Sequence, residues 1–174
     1  MNQKTKTLTE IAMTVALAVI CSFIKVWEMP QGGSVSLTMI PLFILAYRRG
    51  VFSAILAGGI YGLLSALLAG VLYHPMSLLL DYVLAFGLLG LSGFFPKKAW
   101  GVACGTTVGV IGRFISSYLS GAILFAEYAP VGQSPWLYSF IYQITYLLPE
   151  LLITLAVMML LYAKAKKFLF GLLP

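Results

Sequence analysis

Apolar runs near the roughly twenty residues a helix needs to cross hydrocarbon follow one another along this sequence, each closed by basic residues, glycine or proline. A helix rises about 1.5 Å per residue and the hydrocarbon layer is about 30 Å thick. The runs cover about 8–26, 35–47, 51–72, 75–95, 99–126 and 135–163, ending at motifs such as "RRG", "PKK" and "KAKK". Hydrophobic residues make up 61% of the 174 and charged residues 9%, against about 25% charged in soluble domains. These features predict an all-α integral membrane protein, a single domain over 1–174 with six transmembrane helices. The second run, 35–47, is too short for an upright crossing, so it is expected to tilt or to have its outer end covered by the preceding loop.

Lys4, Lys6, Arg48, Arg49, Lys97, Lys98, Lys164, Lys166 and Lys167 fall at alternate ends of the runs. Basic residues collect in short cytoplasmic loops, so both termini are expected to be cytoplasmic in a multi-pass protein of the cell (plasma) membrane, of bacterial type. The net charge of +6 is then a topology signal and carries no nucleic-acid signature. Trp27, Tyr73, Tyr128 and Trp136 would lie at the outer interface. The first run lacks a small-residue cleavage site and more spans follow it, so it reads as a retained helix. Cys21 and Cys104 sit in apolar runs without a CxxC partner and read as packing residues.

Ionisable groups inside a bilayer need a partner or a function. Counting from the outer helix ends puts Asp81 about 10 Å deep, Arg113 about 20 Å and Glu150 about 22 Å. Arg113 and Glu150 match in depth and are expected to form a structural ion pair, leaving Asp81 without a cation at its level. Around Asp81 come Tyr82, Tyr73, His74, Ser116, Ser117, Ser120, Tyr138, Tyr142 and Gln143, with Tyr146 a turn below. Tyr138, Tyr142 and Tyr146 are spaced by four and share a helix face. Two readings stay open: a pocket in which aromatic rings and a carboxylate hold a flat cationic ring, or a core seam of tyrosines with satisfied hydroxyls. The segment "MPQGGSVSLTMIP", 29–41, with Gln31, Gly32, Gly33 and Ser34 at its turn, reads either as a lid over such a pocket or as a plain connector.

Catalytic signatures are absent: there is no GxSxG, HExxH or Ser/His/Asp set, and no P-loop for ATP. The expectation is a non-enzyme without metal or cofactor, whose energy, if it moves a solute uphill, comes from another protein. An intramembrane enzyme, a channel and a purely structural subunit are the rival classes. Ala12 and Ala16, four apart with Ala18 nearby, permit close helix approach, either internally or against another subunit.

Long blocks, "MPQGGSVSLTMIPL", "RRG", "HPMSLLLDYVLAF", "SGAILFAEYAP" and "WLYSFIYQITYLLPE", together with the six-helix layout, resemble the thiamine-type (ThiT/YuaJ-like) substrate-binding S components of energy-coupling factor transporters. The resemblance implies an outward-opening vitamin site capped by the loop between the first two helices. It implies that Ala12 and Ala16 form the family's docking motif for a transmembrane T component carried by two cytoplasmic ATPases, and that the S component topples to release its ligand. It further implies that Asp81 and Tyr82 are the ligand-contacting acidic-Tyr pair, and that Tyr73, Phe125 and Tyr138 are site aromatics. Two positions depart from the family: Ser117 stands where thiamine binders have His, and Gln143 where they have Asn. These changes set thiamine against vitamin B6 (pyridoxine, pyridoxal, pyridoxamine) or a thiamine precursor as the ligand.

Overall fold

The computed structural model describes residues 2–30, 32–70 and 74–171. Asn2 caps the first helix, its side-chain oxygen accepting the Lys4 N–H at 3.4 Å, and α1 (Gln3–Ser22) follows. The chain then forms a hairpin, β1 (Lys25–Glu28) antiparallel to β2 (Ser34–Ser36), with Trp27 opposite Val35. Gly32 turns it with φ +92°, a left-handed conformation costly for residues with a Cβ. The Met29 N–H donates to the Gly33 carbonyl at 2.6 Å. The hairpin differs from the expected helix ends at Val26 and Val35. Ile24, Val26 and Val35 are apolar in either setting, and hydropathy over so short a run does not distinguish helix from strand.

Beyond the hairpin, α2 (Met39–Arg49) has 11 residues, a length of about 16 Å. Gly50 separates it from α3 (Val51–Ala69). His74 caps α4 (Pro75–Phe94), its Nδ1 accepting the Met76 N–H at 3.1 Å. Helix α4 is irregular, π-wound over Leu78–Leu84 and 3-10 over Leu88–Phe94. Next come α5 (Ala99–Ile123), a 3-10 turn (Ala126–Tyr128), α6 (Pro135–Lys164) and the short α7 (Lys166–Leu169). Among the described residues five helices, α1, α3, α4, α5 and α6, are long and apolar enough to cross a membrane. The second expected span fails that test because its first residues are spent on β2.

The core joins α1, α2, α4, α5 and α6 through Ala18, Met39, Leu42, Phe43, Leu89, Val102 and Met158, all fully buried. At the end away from the hairpin, Glu10 of α1 is gripped by both arginines that close α2. Arg49 Nη2 and Nε donate to it at 2.7 and 2.9 Å, and Arg48 adds two bonds of 3.3 Å. Arg48 also donates to the Phe168 carbonyl, tying α7 to this end.

Helix α3 approaches α4 closely at two glycines. A Cβ at Gly58 would overlap the Phe86 carbonyl, and one at Gly62 the Tyr82 carbonyl. Backbone cannot yield as a flexible side chain does, so Gly62→Ala is expected to destabilise the protein by about 1–3 kcal/mol. A lowered thermal midpoint in detergent checks this. An unchanged midpoint would mean that α4 shifts freely past α3.

Candidate ligand-binding site

The hairpin lies on a tyrosine ladder along α6. Tyr138, Tyr142 and Tyr146 stand one above another, with ring centroids 6.2 and 5.9 Å apart. The Gly33 N–H donates to the Tyr142 hydroxyl at 3.2 Å. A Cβ on Gly33 would sit 2.7 Å from the Tyr146 ring, so the approach requires glycine. Val35 is buried against Tyr146 and Leu147. Beside this contact is an open recess of about 280 Å³ lined by Met29, Pro30, Tyr138, Ile141, Tyr142 and Thr145.

Asp81 and Tyr82 occupy the π-wound stretch of α4, both half-buried. Such winding widens the helix and is frequent at functional sites. Ser120 of α5 donates to Asp81 Oδ2 at 2.5 Å, and Ser116 donates to the Leu80 carbonyl at 2.6 Å, so two α5 hydroxyls set the depth of α4. Gln143 bridges α6 to α5: its Nε2 donates to the Ser117 carbonyl at 3.0 Å, and its Oε1 accepts the Tyr146 hydroxyl at 2.5 Å.

Deeper in the bundle, Arg113 Nη1 donates to Glu150 Oε2 at 3.2 Å. Glu150 is wholly buried. Its second oxygen, Oε1, accepts the Ser36 hydroxyl at 3.1 Å, and Ser36 Oγ lies 2.8 Å from Thr38 Oγ1. The guanidinium also stands over the Phe86 ring at 4.5 Å, a cation–π contact with α4. Pro149, just before Glu150, supplies no N–H to the carbonyl a turn earlier, an interruption tolerated inside a bundle.

The structure thus links Asp81 to α5 through Ser120, Gln143 of α6 to the Ser117 backbone of α5, and Gly33 to Tyr142, while the lining of the recess does not include Asp81, Tyr82, Ser117 or Gln143. Tyr138 lines the recess. Phe125 lies past the end of α5 beside Tyr128, ring centroids 6.0 Å apart. Ser34 begins β2. Tyr73 and Gln31 fall outside the described residues. Ala12 and Ala16 are exposed on α1, next to exposed Leu8, Met13, Leu17 and Ile20. The sequence left this segment as a lid or a plain connector and did not reveal that Ser36 meets Glu150, with Thr38 bonded to Ser36. The available signal was the Ser-x-Thr spacing after the glycine turn, with no free cation or anion near it in sequence to suggest its partner.

The five helices long and apolar enough to cross a membrane, packed around a buried Arg113–Glu150 pair, are those of an integral membrane protein. Comparison with known proteins narrows this. The chain belongs to the thiamine transporter protein family, Thia_YuaJ, whose family model matches residues 8–170. It is 35% identical over 178 residues to the thiamine transporter ThiT of Bacillus subtilis strain 168, covering 93% of each chain. It is 27% identical over 149 residues to ThiT of Lacticaseibacillus paracasei, covering 76% of this chain and 74% of the relative. A solved structure of ThiT from Listeria monocytogenes superposes with TM-score 0.86 at 26% identity, over 97% of this chain and 100% of that one.

Proposed function

We propose that this chain is the substrate-binding S component of an energy-coupling factor transporter, which takes thiamine at the outer face of the cell membrane and delivers it inward. The observation that carries the reading is the likeness, over 93% of the chain, to a relative that is a thiamine transporter. Thiamine is a flat aminopyrimidine joined to a cationic thiazolium. Asp81 offsets that cation, while Tyr82, Tyr138, Tyr142, Phe125 and Tyr73 supply ring faces. Ser117 and Gln143 tune the hydrogen bonds; with its carbonyl and one N–H engaged, the Gln143 amide has its other N–H to offer. The segment that carries Gln31, Gly32, Gly33 and Ser34 is the lid. Helix α2 is the sixth crossing, shortened because the hairpin takes over its outer end, and both termini are cytoplasmic. The exposed Ala12 and Ala16 face dock a T component carried by two ATPases.

The alternative ligand is vitamin B6, raised by the two positions that depart from the family: Ser117 offers a hydroxyl in place of an imidazole, and the Gln143 amide donates to the Ser117 backbone carbonyl. Titration of the ligand-free protein with thiamine and separately with pyridoxine, pyridoxal and pyridoxamine, followed by tryptophan fluorescence and calorimetry, decides between them. Tight thiamine binding with weak B6 binding is expected. The reverse order would move the assignment to vitamin B6.

A further inference from the structure

Two side chains of α6 fasten the hairpin, and only one of them belongs to the recess. Tyr142 holds Gly33 beside the recess, whereas Glu150, eight residues and about 12 Å further along α6, holds Ser36 in the interior. Ser36 is 5% exposed, Thr38 2% and Glu150 0%. We propose that the Ser36–Glu150 hydrogen bond is a latch that sets how long the hairpin stays shut, with Arg113 as the residue that positions the carboxylate. This deepens the reading above, on which the hairpin's role as lid rests.

The geometry supports a latch in three respects. Glu150 is oriented from one side by Arg113, which leaves Oε1 pointing at β2. Arg113 is itself fixed by the Phe86 face, and Phe86 follows Asp81 by five residues on α4, so the latch is built on the helix that carries the site carboxylate. Lifting β2 removes the Ser36 donor from a buried charged acceptor, and an acceptor left short of its bond in the interior resists that movement. Tyr142 can trade Gly33 for water at the recess, but Glu150 has no solvent contact until the strand has left.

The test compares the full-length parent, Ser36→Ala and Ser36→Thr, purified without ligand, by hydrogen–deuterium exchange over residues 25–36. Loss of a bond to a charged group predicts exchange about tenfold faster in Ser36→Ala. Ser36→Thr keeps the hydroxyl and is expected to restore the parent rate to within about twofold, a rescue that a packing effect alone would not produce. If Ser36→Ala does not fold, Ser36→Cys, with a weaker donor, is expected to shift exchange in the same direction to a smaller degree. Exchange at the parent rate in the folded variant, or acceleration that Ser36→Thr fails to reverse, overturns the latch. With thiamine bound, Ser36→Ala is expected to raise the dissociation rate about tenfold. A parent that binds no thiamine defeats the functional reading while the ligand-free exchange still decides the latch.

Discussion

Arg113→Ala is expected to destabilise the protein by about 3–5 kcal/mol, the cost of leaving one charge of a buried pair uncompensated. Glu150 is wholly buried and would keep only the Ser36 hydroxyl, and Phe86 would lose the cation on its face. Thermal unfolding in detergent reads the effect. A double replacement, Arg113→Met with Glu150→Leu, removes both charges at similar volume and is expected to recover most of the loss, because a buried pair contributes little net stability over apolar packing. Parent-like melting of Arg113→Ala would show that Glu150 is satisfied without the guanidinium.

Asp81→Asn is expected to weaken thiamine binding about a hundredfold, about 2.7 kcal/mol, with the fold intact. The amide is isosteric and its carbonyl can still accept the Ser120 hydroxyl, so the change isolates charge. The loss should vanish for a neutral ring analogue of the same shape, since only the cation needs the carboxylate. Calorimetry on the purified variant measures both ligands. Equal thiamine affinity in parent and variant would remove Asp81 from the role of counter-charge.

Much of the bundle is legible in residue order because hydropathy acts over whole helices. The extent of α3, α4 and α6 and the basic clusters at their ends follow from runs of apolar residues that no other environment accommodates. Depth counting along such helices also suffices to pair Arg113 with Glu150 as candidates, since ions at one level of a low-dielectric layer have few alternatives. Legibility fails where the periodicity is short. The stretch 24–36 carries too few residues to separate strand from helix, and its fold depends on Gly32 reaching positive φ and on Gly33 fitting beneath two tyrosines, a contact 109 positions away in sequence.

The site divides in the same way. Composition and spacing alone determined that this is a membrane protein, which residues bear charge within it, and that Tyr138, Tyr142 and Tyr146 share a face. Only the tertiary structure decided that Ser120 meets Asp81, that Gln143 joins Ser117, and that Ser36 reaches the carboxylate of Glu150. The reason is rotational: hydropathy sets how deep a residue lies along its helix, but the angle at which each helix turns its polar groups inward is set by close contacts between neighbours, such as Gly62 against the Tyr82 carbonyl.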